Sequence, residues 1–172
     1  MIDSRLKKIA LLLLDVDGVL TTGQVIYDDT GKETKVFSVR DGLGLRLLME
    51  AGLMVGIVTG RRSKALAHRC KNLGISILKD GVRDKGAALE KILEETRVTA
   101  AETAFVGDDL PDLPIMRRVG VPIAVGDAHE QVKHAALWTT RANGGCGAVR
   151  EVCERILMAR GAWESTIERL FS

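Results

Sequence analysis

Residues 11–22 read LLLLDVDGVLTT, four leucines running into two carboxylates one residue apart and then a glycine. A short, continuous apolar run bounded by turn residues reads as a strand buried on both faces, and such strands belong to parallel sheets covered by helices. Two like charges at the end of a buried strand repel unless a cation or a shared proton stands between them. Asp15 and Asp17 therefore mark the strand's carboxyl end as a place to look for chemistry. Taken alone, an acid pair at a strand end is also an ordinary turn pair.

The same alternation continues along the chain. GLGLRLLMEAG, RSKALAHRCKNLG and KGAALEKILEET are helical patterns, and LMVGIVTG, ISILKDG, TAFVGDD and VPIAVGD are strand-like runs between or beyond them. Strands alternating with helices of about ten to fourteen residues indicate βαβ units. The fold class is α/β, a Rossmann-like parallel sheet with helices on both faces. Polar and glycine residues collect after LLLLD, GIVTG, AFVGDD and IAVGD, at the sheet edge where open α/β folds bind ligands.

One segment interrupts the pattern. Residues 23–39, GQVIYDDTGKETKVFSV, hold two β-prone runs about a turn and predict a projecting β-hairpin. A lone hairpin carrying Val25, Tyr27, Val36 and Phe37 is marginal in water, so something should pack on it, most simply a second copy of the chain. The C-terminal part, residues 143–172, opens on Gly144, Gly145 and Gly147 and continues into an amphipathic helix and a shorter one after Gly161. The glycines fit either a helix-start loop or a flexible segment approaching a ligand.

At 172 residues the chain fits a single domain, residues 1–172, able to bury roughly 70% of its unfolded surface. With 46% hydrophobic and 28% charged residues it reads as a soluble globular protein. The first residues, MIDSRLKKIALLLLDVDG, have no small-residue cleavage site and no span of membrane length, so a cytoplasmic location is expected. A net charge of +2, scattered basic residues and six aromatic side chains of Phe, Trp and Tyr argue against nucleic acid as a partner. Cys70, Cys146 and Cys153 form no CxxC pair, which points to a reducing compartment and packing roles.

Three further features accompany the acid pair. Thr59 and Gly60 lead into a helix starting near Ser63, and a hydroxyl with free N–H groups at a helix N-terminus suits phosphate. Lys85 opens another helix, where the dipole disfavours a cation unless an anion is near. Asp108, Asp109 and Asp112 follow a strand, and a helix beginning near Pro111 explains one acid as a cap but not three. Clustered carboxylates are hard oxygen ligands of the kind Mg2+ takes together with a substrate phosphate. Singly, each feature also has a bland reading, a solvated lysine or a helix cap.

In the order DVDGVLT, TGR, Lys85 and GDDLPD, each at a strand end, these motifs resemble the haloacid dehalogenase superfamily. The phrases FSVRDGLGLRLL, TGRRS, HRCKNLGI, VGDDLPDLPIM, VGDAH and GGCGAVREVC, spread over nearly the whole chain, look like the 3-deoxy-D-manno-octulosonate 8-phosphate (KDO 8-phosphate) phosphatase family. The resemblance implies a Mg2+-dependent phosphatase in lipopolysaccharide precursor synthesis. In it Asp15 is the nucleophile that forms an aspartyl-phosphate, and Asp17 is the general acid and base. Asp15, Asp108 and the Asp17 carbonyl hold the metal, with Asp109 and Asp112 behind them. Thr59, Gly60 and Lys85 surround the phosphoryl group, so loss of Lys85 is expected to cost turnover far more than stability. For the sugar, the family pattern points to Ser38, Val39, Arg40, Asp41 and Gly42, and to Arg46, Arg61 and Arg69; Arg46 and Arg69 read equally well as surface helix residues.

The resemblance also implies a capless member. Only 42 positions separate Asp17 from Thr59 and 26 separate Thr59 from Lys85, too few for a cap domain. Closure over the site would come from a homotetramer whose hairpins form a central barrel and whose glycine-rich C-terminal segment reaches a neighbouring site. His68, His129 and His134 lack ligand spacing, and Trp138 and Trp163 read as packing residues. Ser38, Leu43 and Cys146 depart from the family pattern near the substrate, which puts the identity of the sugar in question. Rivals are a nonulosonate 9-phosphate or broader sugar phosphatase, a noncatalytic assembly domain, and a receiver domain, whose motif order differs.

Overall fold

The structure, a computed structural model, describes residues 2–169; the last residues of the expected C-terminal tail, 170–172, lie outside them. A short first helix, α1 (Ile2–Leu6), leads into β1 (Leu11–Leu14), then β2 (Ile26–Tyr27) and β3 (Glu33–Thr34). There follow α2 (Val39–Glu50), β4 (Met54–Val58), α3 (Lys64–Leu73), β5 (Ile77–Lys79) and α4 (Lys85–Thr96). The chain ends with β6 (Thr103–Gly107), α5 (Leu113–Met116), β7 (Val121–Ala124), α6 (Glu130–Ala135), β8 (Trp138–Thr139), α7 (Ala148–Ala159) and α8 (Trp163–Glu168).

Six strands form one parallel sheet in the order β5-β4-β1-β6-β7-β8. The four leucines of β1 are 0% exposed, as the run of Leu11 to Leu14 requires of a strand covered on both faces. β1 lies in register with both neighbours, Leu14 facing Ile57 on one side and Val106 on the other. From β1 the chain winds outward through β4 and β5, then crosses back to β6, so the order reverses between β1 and β6. That crevice is the switch point where this kind of sheet binds ligands. Helices α1, α2, α3 and α7 pack in one layer, and α4, α5 and α6 in another, the two-sided cover that right-handed crossovers produce.

Local chemistry starts three of the helices. The hydroxyl of Ser38 accepts from Asp41 N at 3.3 Å, and that of Ser63 from Leu66 N at 3.4 Å. The Asp84 carboxylate accepts from Ala87 N at 3.0 Å, fixing the first residue of α4, Lys85, beside the end of β1. Gly74, at φ 81°, closes α3 in the left-handed region.

The hairpin is shorter than its sequence predicts. Only Ile26 with Thr34 and Tyr27 with Glu33 are paired, and the turn beyond them is closed by the Asp28 carboxylate, which accepts from Thr30 N, Thr30 Oγ1 and Lys32 N. Val25, Tyr27 and Val36 are exposed, as expected of a segment that projects. Phe37 instead packs on the chain's own core, with the Arg69 guanidinium 5.9 Å from its ring centre. Cys70 and Cys153 are buried and Cys146 is exposed. Trp138 and Trp163 sit against the core, and His129 caps α6 by accepting from Gln131 N.

The sheet tolerates little extra volume at its centre. A Cβ on Gly56 would come within 2.7 Å of Ile77 Cγ2 and 2.8 Å of Leu13 Cδ2. Gly56→Ala should lower unfolding stability by about 1–3 kcal/mol, read as a drop in the urea midpoint; an unchanged midpoint would show that β4 packs differently.

Candidate active site

Asp15 extends β1 by one residue, its N–H bonded to Val106 O at 3.0 Å, and only 7% of it is exposed. Its Oδ1 accepts from Lys85 Nζ at 2.8 Å, and the same ammonium donates to Asp112 Oδ1 at 2.5 Å. The Asp112 Oδ2 in turn accepts from Asp108 N at 2.9 Å and Asp109 N at 3.3 Å. One buried cation thus ties the end of β1 to the loop after β6. A Cβ on Gly107 would come within 2.6 Å of Asp112 Oδ2, so a glycine there is what lets Asp112 fold back under the loop.

Charge in this cluster is not balanced. Asp108 Oδ1 is buried and meets no hydrogen-bond partner. Burial above all, then Asp15, Asp112 and Asp109, pushes the Asp108 carboxyl up to about 8, against the smaller pull of Lys85. Burial likewise raises Asp15 to about 6, partly offset by Lys85. Carboxylate oxygens of Asp15, Asp108 and Asp112 lie within 4.8 Å of one another. An all-oxygen donor set with one orphaned carboxylate oxygen fits a hard divalent cation such as Mg2+. Gly18, at φ 95°, completes the cradle, since a Cβ there would fall 2.0 Å from Asp108 Oδ2.

Lys85 also has a place in the packing of the site. With 6% of its side chain exposed between two carboxylates, it is part of a buried ion triad, and removing one member of such a group costs about 3–5 kcal/mol. Losing Lys85 is therefore expected to lower stability.

Asp15, Asp17, Thr59, Gly60, Arg61, Lys85, Asp108, Asp109 and Asp112 all line one cleft of about 770 Å³. Thr59, 2% exposed, accepts from Arg61 N at 3.4 Å. Asp109 is turned to its own loop and accepts from Leu110 N at 2.8 Å. The other candidates for the sugar are not brought to this cleft within one chain. Asp41, 1% exposed, is turned inward because its carboxylate accepts from Arg150 N at 2.8 Å at the start of α7. Ser38, Gly42 and Arg69 line a separate small hollow, with the Arg69 guanidinium held by Ser38 O at 3.1 Å. Arg46 donates to Asn72 O at 2.7 Å, and Val39 and Arg40 are exposed on the outer surface.

The glycine-rich loop is packed rather than free. Gly145 N donates to Val19 O at 2.8 Å and Gly144 N to Asp127 Oδ1 at 2.9 Å. A Cβ on Gly144 would strike Gly18 O at 1.6 Å, so this loop clamps the turn that follows Asp17 in its own chain. Sequence reading passed over Arg83 and Arg118, which also line the cleft, and Lys35. The Lys35 ammonium pairs with Asp17 Oδ1 and lies 3.4 Å from Glu33 Oε1. The signal for Lys35 was the period of two that places Glu33, Lys35 and Phe37 on one face of the hairpin's return strand.

Comparison with known proteins agrees with this geometry. Residues 74–152 match the family model of haloacid dehalogenase-like hydrolases. The 3-deoxy-D-manno-octulosonate 8-phosphate phosphatase KdsC of Escherichia coli K12 is 44% identical over 158 residues, covering 92% of this chain and 84% of that one. A crystal structure of the phosphatase of the same name from Moraxella catarrhalis, in complex with a magnesium ion, a phosphate ion and a KDO molecule, superposes with a TM-score of 0.96 at 42% identity. It covers 98% of this chain and 97% of its own. The Yersinia pestis phosphatase of that name superposes with a TM-score of 0.93 at 43% identity over 94% and 88% of the two chains. With the sheet, the switch-point cleft and these relatives in agreement, the chain belongs to the haloacid dehalogenase-like hydrolases, in the 3-deoxy-D-manno-octulosonate 8-phosphate phosphatase family.

Proposed function

We propose that this protein hydrolyses 3-deoxy-D-manno-octulosonate 8-phosphate to the free sugar acid and phosphate, with Mg2+ as cofactor, through an aspartyl-phosphate on Asp15. The observation that carries the reading is the buried Asp15 held by Lys85 beside an unpartnered Asp108 oxygen. The relative crystallised with magnesium, phosphate and KDO supplies the sugar.

In this reading a carboxylate oxygen of Asp15 attacks phosphorus, and the bond from phosphorus to the sugar oxygen breaks. Asp17 delivers a proton to that oxygen, then removes one from the water that attacks the phosphorylated Asp15, and phosphate leaves. Thr59, the Gly60 N–H and the Lys85 ammonium surround the transferring group, where positioning and charge stabilisation supply most of the rate. A divalent cation held by Asp15, Asp108 and the Asp17 carbonyl would shield the charge between an anionic nucleophile and an anionic ester. Arg61, exposed at the cleft and held there by Glu33, suits the substrate's carboxylate.

Assembly completes the proposal. Val25, Ile26, Tyr27, Val36, Val39 and Leu43 expose an apolar run along the hairpin and the start of α2, which supports packing of four chains through their hairpins. A neighbouring chain could then bring Arg40 or Arg46 to the sugar. No helix among the described residues is long and apolar enough to cross a membrane, and action in the cytoplasm, on a lipopolysaccharide precursor, is part of the same reading.

Phosphate release from eight- and nine-carbon ketoacid phosphates and from simple sugar phosphates tests the substrate. The eight-carbon octulosonate phosphate should be preferred, with activity lost on chelation; a preference for the nine-carbon acid or for simple sugars would reassign the enzyme.

The carboxyl cluster predicts a pH dependence. Asp108 and Asp15 take up protons at about 8 and about 6 in the folded chain, against an ordinary value of 3.8. Between those limits the metal-free fold binds more protons than the unfolded chain, so it loses stability as pH rises from about 4 to about 8. A cation that replaces those protons should raise the melting temperature more at pH 8 than at pH 5. An equal or larger rise at pH 5 would mean that these carboxylates do not hold it.

A further inference from the structure

We propose that Lys35 is a positioning residue for the reaction: from just beyond β3, at the base of the hairpin, it fixes the carboxylate of Asp17 and so sets the efficiency of both proton transfers. The inference rests on the role given to Asp17 above. Most of the hairpin is exposed, yet only 3% of the Lys35 side chain is. Its ammonium donates to Asp17 Oδ1 and lies 3.4 Å from Glu33 Oε1. Glu33 is bound in turn by Arg61 Nη2 at 2.8 Å, and the same nitrogen reaches Tyr27 OH at 3.3 Å. Two hairpin side chains, Glu33 and Tyr27, thus hold the arginine that stands 3.8 Å from Asp17 Oδ2.

The two carboxylate oxygens are treated differently. Oδ1 is tethered by a buried, charge-assisted bond, which is short and directional. Oδ2 has Arg61 Nε at 3.8 Å, beyond hydrogen-bond distance, and is the oxygen left to carry a proton. Asp17 and Arg61 line the cleft and Lys35 does not, so Lys35 acts through Asp17 and not on the phosphoryl group. A carboxylate that must first give and then take a proton at one place loses rate when its orientation is lost, while ground-state binding of the phosphate is left alone. Because Lys35 belongs to the hairpin, whatever packs on the hairpin's exposed face also steadies Asp17.

The test is Lys35→Met, which keeps the stem and removes the charge, beside Lys35→Arg, which keeps the charge. Lys35→Met should lower kcat about tenfold or more, with KM and inhibition by inorganic phosphate within about twofold of the parent. Lys35→Arg should recover most of the rate. A kcat for Lys35→Met within about twofold of the parent, a loss confined to KM, or an arginine variant as impaired as the methionine one would overturn the inference. Asp17→Asn, measured alongside, separates the two levels: parental activity in that variant removes the role Lys35 is meant to serve, whereas loss in Asp17→Asn alone sinks only the assignment of Lys35.

Discussion

Everything in the crevice depends on one buried ammonium. Lys85 reaches from the first turn of α4 to both Asp15 and Asp112, joining the strand that carries the first acid to the loop that carries the rest. A cation at a helix start is unfavourable on dipole grounds, and desolvation works against its charge, but the two carboxylates outweigh both and hold the Lys85 ammonium above its ordinary value. The cluster is still short of positive charge, because Asp108 contributes a third carboxylate whose Oδ1 has no partner. That imbalance fits the site to a divalent cation and, without one, raises the carboxyls of Asp108 and Asp15 above their ordinary range.

Around this centre the fold uses small residues to bring backbones close. Gly18, Gly107 and Gly144 each stand where a Cβ would collide with a carboxylate or a carbonyl of the site. The GGCG loop therefore buttresses the turn after Asp17 from behind, while the hairpin approaches from the front through Lys35. Asp17 is thus held between a packed loop and a partly exposed hairpin.

Much of this was legible in the sequence. The buried run Leu11–Leu14, the strand-end motifs and the helix start near Ser63 foretold the parallel sheet and the gathering of Asp15, Thr59, Lys85 and Asp108 at one edge. Those features act locally or with a fixed period, so they survive without coordinates. The orientation of Asp41 and the partner of Lys35 did not show themselves, since both arise from long-range contacts, to Arg150 and Asp17. A sequence motif marks Asp41 but says nothing about which way its carboxylate turns. The two-residue β8 and the two-residue pairing of the hairpin were likewise too short for alternation to define.

The central claim is that the carboxylate of Asp15 is transiently bonded to phosphorus. Acid quenching during turnover with substrate carrying labelled phosphate, followed by peptide mapping, addresses it most directly. The account predicts acid-stable, base-labile label on the peptide containing Asp15, absent from Asp15→Asn; turnover at the parental rate in that variant, or label on another residue, would contradict it.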